Sequence, residues 1–272
     1  HFKSKYAFAG VLLLSITPAW FLHSRTAFEV VIAVSFYAAF LFTYLQYREG
    51  KPRYLYASVL FGALCFYSYS PAQMVMAVTA SVLLITDIRT HIKNWKYILI
   101  GLGIASLLAI PYIRFLILHP DENMRHLQIL DSYWIQNIPL SEKLGKYFSE
   151  YLKLLNPFFW FLPNNIDLER HVMKEYGHLL RWTFPFFALG FGLALWRIKK
   201  PQYRVFVISL LAAPAGAALA GAAVTRALFL VIPAVVLTSI GLDQTMVWIE
   251  KRKVPKAVLI SLVGLGLVTF NG

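Results

Sequence analysis

The chain has 272 residues, of which 58% are hydrophobic and only 14% are charged. Soluble domains carry about 25% charged and about 45–50% apolar residues, so a soluble fold of this size could not bury so much apolar surface. The formal net charge of +13 would suggest nucleic-acid binding in a soluble protein, but the basic residues stand in short clusters between hydrophobic stretches. The composition therefore predicts an integral membrane protein and excludes a soluble globular domain.

Hydrophobic stretches recur along the whole chain, each close to the roughly 20 residues that cross a hydrocarbon core. We predict an all-α, polytopic fold with about nine transmembrane helices. The predicted spans are residues 6–22, 29–46, 54–69, 72–86, 97–118, 182–197, 203–222, 227–247 and 256–270. No internal repeat and no soluble-domain boundary is visible in the sequence, so residues 1–272 are expected to form a single transmembrane domain.

The basic residues predict the orientation of these spans. Most Lys and Arg residues fall in five clusters that the predicted spans place on the same side, and the positive-inside rule assigns that side to the cytoplasm. We therefore predict a multi-pass protein of the plasma membrane. The clusters are Lys3/Lys5, Arg48/Lys51/Arg53, Arg89/Lys93/Lys96, Arg197/Lys199/Lys200/Arg204 and Lys251/Arg252/Lys253/Lys256.

The outer end of the first predicted span carries His23, Arg25 and Glu29 after Pro18, a residue that can break a helix. Arg25 and Glu29 are four residues apart and can pair on one helical face. One interpretation is that His23 and Arg25 face a cavity and hold an anionic group. The alternative is a structural pair at the membrane interface with a snorkelling arginine, and residue types alone favour that alternative.

Two more outer ends carry candidate site residues. Tyr67 and Tyr69 precede Pro71 at a hairpin tip; they are either interfacial anchors or hydrogen-bonding groups for a phosphate or sugar. Arg114 follows Pro111 late in the fifth span, where an arginine is costly unless it is paired or faces water. Snorkelling to the surface is the equal alternative for Arg114.

Residues 119–181 form one long connection, which is predicted to face outward because long loops translocate largely regardless of charge. Apolar residues at helical spacing over 140–155 predict an amphipathic helix lying in the interface plane, with Ser141 as its N-terminal cap. Residues 156–163 are too short to span and rich in aromatic rings, which favours a segment at the headgroup level.

Arg226 follows the small residues 212–223, which would allow close helix packing. Its guanidinium is suited to bidentate phosphate binding, and a structural pair with an acid is equally plausible. The spacing of His171 and His178 matches no zinc pattern, so they are interpreted as interfacial or loop residues and no metal site is predicted. No Walker loop, dinucleotide motif or nucleophile elbow occurs, which argues against an ATP-driven pump component and the common hydrolases.

Several short motifs together resemble one family. The segments 15–18 (Ser-Ile-Thr-Pro) and 24–29 (Ser-Arg-Thr-Ala-Phe-Glu) resemble a stretch of bacterial membrane glycosyltransferases in the protein mannosyltransferase and aminoarabinose transferase branch of the GT-C superfamily. The tip 67–71 is similar to the tyrosine-and-proline tip of that family. Residues 176–180 are similar to its loop-to-membrane re-entry, and residues 226–242 to its late span containing Arg, Pro and Gly.

The resemblance implies transfer of a hexose or pentose from a polyprenyl-phosphate donor to a lipid, glycan or protein acceptor on the outer face of a bacterial inner membrane. The expected partners are that donor and membrane lipids, with no nucleic acid; no cofactor is assigned, and a divalent cation is left open. The catalytic acid of the family lies in its first outer loop, and no matching acid precedes Ser15. We therefore expect an N-terminally truncated fragment, inactive alone, whose catalytic acid lies upstream of His1.

In this chemistry, positioned arginines would stabilise the charge that develops on the leaving phosphate. The candidate substrate- and phosphate-binding residues are His23, Arg25, Glu29, Tyr67, Tyr69, Arg114 and Arg226. The first alternative is a transporter or flippase of a lipid-linked sugar, which would more commonly show inverted repeats and helices broken near the midplane. The second is a surface-glycan polymerase or ligase, which only the short motifs above separate from the transferase.

Overall fold

The computed structural model describes Phe2, residues 5–26 and residues 28–251. Helices make up all regular secondary structure in these residues, which confirms the predicted all-α class. The α-helices are α1 (Phe8–Ile16), α2 (Pro18–Arg25), α3 (Glu29–Arg48), α4 (Tyr54–Ser68), α5 (Ser70–Thr86), α6 (Ile88–Lys93), α7 (Trp95–Leu118), α8 (Glu122–Ile129), α9 (Leu140–Leu155), α10 (Pro157–Phe161), α11 (Phe184–Trp196), α12 (Pro201–Ala212), α13 (Val224–Ala227) and α14 (Val231–Lys251).

Four helical stretches within the described residues are long and apolar enough to cross a membrane. They are Glu29–Arg48, Trp95–Leu118, Pro201–Leu219 and Val224–Lys251. Helices α4 and α5 are apolar but shorter. A multi-pass membrane protein is therefore supported, whereas the predicted number of nine spans is not confirmed, and the span predicted at 256–270 lies outside the described residues.

The first predicted span, residues 6–22, is two short helices. Helix α1 ends at Ile16, Thr17 has an extended backbone, and Pro18 begins α2. A proline lacks the N–H that would continue the helical ladder and pushes the residue before it towards an extended conformation. The Thr17 hydroxyl donates to the carbonyl of Leu13 at 2.7 Å, which caps the end of α1.

The predicted continuous span at 203–222 is also interrupted, because the regular α-helix ends at Ala212. Turns and a short 3-10 helix, Ala217–Leu219, follow, and an irregular segment then leads to α13. Pro214 cannot continue the ladder of hydrogen bonds, and Gly221 has a φ of 90°, a backbone conformation that favours glycine. The small residues 213–223 therefore form turns, a short 3-10 helix and an irregular stretch, which we call the unwound segment 213–223; a close approach of the kind that small residues allow occurs at Gly216, where a Cβ would overlap the carbonyl of Pro71.

The contacts of the chain divide it into two compact units. The first unit comprises residues 1–25, 157–207 and 231–272, as far as these are described. In it, α11 and α14 approach closely at two glycines: a Cβ added at Gly190 would overlap the carbonyl of Leu237, and one added at Gly241 would overlap that of Phe186. Such small residues allow helix backbones to touch in a membrane.

The second unit comprises residues 26–156 and 208–230 and is centred on α3. Ala33, Val34 and Tyr37 of this helix are fully buried. The Tyr37 hydroxyl hydrogen-bonds that of Thr79 on α5 at 2.8 Å, and its ring packs edge-on against Phe229. A buried polar contact between helices thus fixes how α3 and α5 pack.

Arg48 belongs to one of the five basic clusters that the sequence predicts on the cytoplasmic side. In the structure, its side chain is only 11% exposed and packs within the second unit. Its Nε lies 3.0 Å from Asp87 Oδ2, and the side chain of Asp87 is 0% exposed. The Tyr44 hydroxyl donates to the same carboxylate oxygen at 2.6 Å. Tyr47 and His91 complete this network with a hydrogen bond of 3.0 Å. It joins the end of α3 to the start of α6.

The amphipathic helix predicted at 140–155 is confirmed as α9. Its N-cap is Pro139 and no side chain caps it, so the predicted role of Ser141 is wrong. Leu140, Phe148 and Leu152 are 65%, 58% and 62% exposed along one side. The predicted position in the membrane interface stays a prediction, to which this exposed apolar side is suited.

Candidate functional site

Three residues that the sequence predicted as site residues come together in the second unit. They are Glu29 at the start of α3, Tyr69 between α4 and α5, and Arg226 in α13. The charges of Glu29 and Arg226 both act on the Tyr69 hydroxyl, and the side chain of Thr225 lies beside it. Residues far apart in the sequence therefore form one polar cluster, which we call the Arg226 cluster.

Tyr69 is held in this cluster by the geometry of its turn. Its backbone is extended, and its carbonyl accepts from the N–H of Ala72 at 3.0 Å as α5 begins. Pro71 in the first turn of α5 suits a helix start, where its missing N–H costs nothing. The carbonyl of Pro71 packs against Gly216, where a Cβ would overlap it. The tip of this hairpin is thus seated against the unwound segment 213–223.

Arg226 is half-buried beside that segment. Its Nη1 donates to the carbonyls of Ala220 at 2.6 Å and Gly221 at 3.3 Å. No ion pair joins Arg226 to a carboxylate among the residues that the structure describes. A guanidinium has five N–H donors, so these two bonds orient it and leave donors for an anion.

Side chains of the loop after α8 and of α9 satisfy the backbone of the unwound segment. The Tyr147 hydroxyl donates to the carbonyl of Ala215 at 3.2 Å and Tyr133 to that of Ala218, while Tyr151 donates at 2.6 Å to the carbonyl of Leu211 in the last turn of α12. Burial, together with Glu150 and Tyr147, raises the pKa of Tyr133 to about 12, so it remains a donor at neutral pH. Irregular backbone at membrane depth needs such partners.

Glu150 accepts a hydrogen bond from the same segment. Its Oε2 lies 2.6 Å from the backbone nitrogen of Ala222, whose N–H is the donor. Ser132 adds a bond to the carbonyl of Leu219. Side chains therefore hydrogen-bond both an N–H and a carbonyl of the backbone just before Arg226. This role of the loop was not predicted; the signal in the sequence was the spacing of Tyr147 and Tyr151, four residues apart on one helical face.

Tyr67 hydrogen-bonds the backbone of α7 and does not belong to the Arg226 cluster. Its hydroxyl donates to the carbonyl of Leu108 at 2.6 Å and accepts from the N–H of Tyr112 at 3.2 Å. These two groups would bond each other in an undisturbed α-helix, and Pro111 lies between them. Insertion of a side chain into the ladder next to a proline is a recognised cause of helix bending.

An apolar cavity of about 480 Å³ lies between α4, α5 and α7 in the second unit. Tyr67 and Tyr112 line one end, and Tyr44 and His91 also line it. On α7 the lining runs from Ile98 to Tyr112, a rise of about 21 Å at 1.5 Å per residue. The cavity therefore has the length and the lining of a site for a hydrocarbon chain.

The remaining predicted site residues lie elsewhere. His23, in the first unit, is fully buried and its Nδ1 lies 2.7 Å from the carbonyl of Ala19. Arg25 is exposed, with its guanidinium 5.0 Å from the centre of the Phe21 ring. Arg114 is exposed on α7. Their predicted contacts with a substrate, and the pairing of Arg25 with Glu29, stay predictions.

The loop histidines are more buried than the sequence predicted. His171 and His178 are 8% and 3% exposed, and both lie in the first unit near His23. Residues 157–161 form α10, whose rings Phe159, Trp160 and Phe161 pack inside the protein. Within the described ranges, no group of three or more His, Cys, Asp or Glu residues could hold a metal ion.

Comparison with known families bears on the first part of the chain. Residues 1–115 match the family of dolichyl-phosphate-mannose-protein mannosyltransferases, which is consistent with a GT-C glycosyltransferase and confirms the predicted resemblance. The match includes Glu29 and Tyr69 but ends well before Arg226. No curated protein and no solved structure matches the chain significantly.

Proposed function

We propose that this protein transfers a sugar from a polyprenyl-phosphate donor, binding the donor phosphate at the Arg226 cluster. The family matched by residues 1–115 points to a membrane glycosyltransferase of the mannosyltransferase type. The observation that carries the proposal is the convergence of Glu29, Tyr69 and Arg226. A guanidinium, a phenol and a carboxylate together would supply the donors and the acceptor that a sugar phosphate needs, which supports the proposal.

Arg226 binds the phosphate in this proposal. It is half-buried, so its attraction for an anion is screened less than that of an exposed cation. The two carbonyls on Nη1 fix the direction of the guanidinium before a ligand arrives. As the bond to the sugar breaks, negative charge grows on the leaving phosphate, and an arginine already oriented towards it lowers the barrier.

Tyr69 and Glu29 complete the binding site. The Tyr69 hydroxyl donates to a phosphate oxygen, and the Glu29 carboxylate accepts from a sugar hydroxyl. Glu29 is exposed at the first turn of α3, so it can reach a ligand outside the helix. Glu29 is a binding residue in this proposal.

The cavity between α4, α5 and α7 receives the hydrocarbon chain of the donor. Its end at Tyr67 is two residues from Tyr69 along the chain, so a lipid in the cavity would have its head near the Arg226 cluster. In this proposal that end faces the outer side of a bacterial inner membrane, an orientation that the five basic clusters favour by the positive-inside rule. A lipid, glycan or protein acceptor would approach from there.

The test is sugar transfer by the protein reconstituted in vesicles with a radiolabelled polyprenyl-phosphate sugar. Arg226→Gln should reduce kcat/KM by about 10- to 150-fold, as expected for the loss of a charge-assisted hydrogen bond worth about 1.5–3 kcal/mol. The control is Arg125→Gln, which removes an exposed arginine 3.8 Å from Glu122. Equal activity of the Arg226 variant and the control would remove the phosphate-binding role.

A flippase of a lipid-linked sugar is the second candidate, and the unwound segment 213–223 favours it. Discontinuous helices that expose backbone groups are typical of transporters. The two functions separate in vesicles that contain labelled lipid-linked sugar and no acceptor. A flippase would move the label across the bilayer in that mixture, whereas the proposed transferase would leave it in place.

A further inference from the structure

Three histidines gather in the first unit, in a place that the proposed function does not use. His23 belongs to α2, His171 ends the short 3-10 helix Glu169–His171, and His178 follows six residues before α11. All three are buried. The rings of His23 and His171 are nearly parallel, with centroids 5.5 Å apart and an angle of 11° between the planes. Helix α2 and the loop 157–183 are therefore in contact through the stacked rings of His23 and His171.

Backbone bonds attach the same loop to α2 and to itself. The N–H of Ala19 donates to the carbonyl of His178 at 3.0 Å, and the N–H of Leu179 donates to the carbonyl of Trp160 at 2.7 Å. The His178 ring packs on Trp160 at 5.7 Å, and its Nε2 lies 3.0 Å from Asp167 Oδ2. The polar contacts of the loop therefore depend on the position of these rings.

The bond between Arg170 and His171 requires a neutral imidazole. The Nε of Arg170 donates to Nε2 of His171 at 3.1 Å, so that nitrogen must present a lone pair. A proton on Nε2 would remove the acceptor. It would also place a cation directly against the Arg170 guanidinium and in front of the His23 ring. One protonation thus replaces this hydrogen bond with a repulsion between two cations, His171 and Arg170.

Burial is the main factor that favours the neutral rings. Burial lowers the pKa of His23; His171 and His178 lower it further, whereas the Ala19 carbonyl and Asp167 raise it. Burial also lowers the pKa of His171, with Arg170 acting in the same direction and Asp167 in the opposite one. Because these histidines lose proton affinity on folding, they stabilise the folded loop above the ordinary histidine pKa of 6.5. That stability falls as the pH drops below it.

We propose that the pair His23 and His171 is a pH-sensitive latch, which holds loop 157–183 on α2 at neutral pH and releases it in acid. The latch responds to the pH on the side of the membrane that the loop faces. Its release exposes the buried rings Phe159, Trp160 and Phe161 of α10 together with His178 and Leu179. The inference is independent of sugar transfer, because it rests on contacts of the first unit alone.

Cysteine accessibility in nanodiscs tests the latch in the full chain. A reporter cysteine is introduced by Leu179→Cys, at a position only 4% exposed in the loop, after Cys65→Ala has removed the single native cysteine. Its maleimide labelling rate is divided by that of an exposed reference, Ser149→Cys, at each pH from 7.5 to 5.0. This ratio cancels the pH dependence of thiol ionisation.

The proposal predicts that the ratio rises as the pH falls below 6.5, by about tenfold for each unit by which folding lowers a histidine pKa. In the same background His171→Gln, which keeps an acceptor for Arg170 and does not titrate, should flatten the rise. His119→Gln, at an exposed position of the other unit, should leave it intact.

A ratio that stays constant down to pH 5.0 in the chain with both histidines would overturn the latch, whatever the variants do. A rise of the labelling ratio in His171→Gln that equals the rise in the chain with both histidines would also overturn the latch. If His171→Gln is open at neutral pH, His171→Phe in its place retains a stacking ring, and a rise that persists in that variant would equally overturn the latch.

Discussion

Arg48 and Arg226 lie in the same unit and show how differently a membrane protein can use an arginine. Arg48 is held by Asp87 at 3.0 Å in a site where the carboxylate is completely buried. Arg226 has two backbone carbonyls as its nearest partners and is half-buried. Asp87 neutralises the charge of Arg48. The two carbonyls orient the guanidinium of Arg226 but do not neutralise its charge. This difference is why we propose the second, and not the first, as the binding group for an anionic ligand.

The largest effect that this comparison predicts comes from breaking the neutralised pair. Asp87→Ala should lower the free energy of unfolding by about 3–5 kcal/mol, because the buried Arg48 loses its counter-charge. Equilibrium unfolding in mixed micelles measures this change. Lys51→Gln, an exposed change near the same helix end, is the control and should leave stability within about 0.5 kcal/mol. Similar stability in both variants would show that Arg48 is not held as described.

The segment that orients Arg226 gives the next effect. Gly216→Ala places a Cβ onto the carbonyl of Pro71, and such overpacking costs about 1–3 kcal/mol. The matched control is Gly103→Ala on α7, where a Cβ meets nothing within 4 Å. The same unfolding measurement applies. If the two variants are equally stable, the hairpin tip is not seated against the unwound segment.

Tyr67→Phe should have the smallest effect on stability. It removes the hydroxyl that bridges Leu108 and Tyr112, and a hydrogen bond of this kind contributes about 0.5–1.5 kcal/mol. Hydrogen exchange at the amide of Tyr112 should accelerate, since that N–H loses its acceptor. Tyr176→Phe, at a tyrosine 43% exposed in the long loop, provides the control. Unchanged protection of Tyr112 would contradict the bridging role.

The elements that the sequence predicted well are those fixed by local rules. Continuous hydrophobicity gave α3 and α7, and apolar spacing gave α9. Both predicted spans ran across a proline, Pro18 in the first and Pro214 in the seventh. Hydropathy is averaged over a window of residues, so it does not detect that a proline lacks the N–H needed to continue the helix. The broken first span and the unwound segment were therefore missed.

The site was predictable only in its parts. Glu29, Tyr69 and Arg226 were each proposed from residue type and position, yet their meeting depends on how α3, the hairpin tip and α13 pack. The pairing of Arg48 with Asp87 was missed for the same reason: positive-inside counting treats every basic residue as solvated. Likewise, the burial of His171 depends on a contact with α2 from which it is separated by more than a hundred residues.

The most direct test of the Arg226 cluster is the preference of the chain for a lipid phosphate over the corresponding alcohol. Binding of polyprenyl phosphate and of polyprenol is measured in nanodiscs for the unmodified chain and for Arg226→Gln. We expect the unmodified chain to prefer the phosphate by about 10- to 150-fold, the equivalent of about 1.5–3 kcal/mol. The variant should bind both lipids with the affinity of the alcohol. Equal binding of the two lipids by the unmodified chain, or a preference that survives in the variant, would contradict the account.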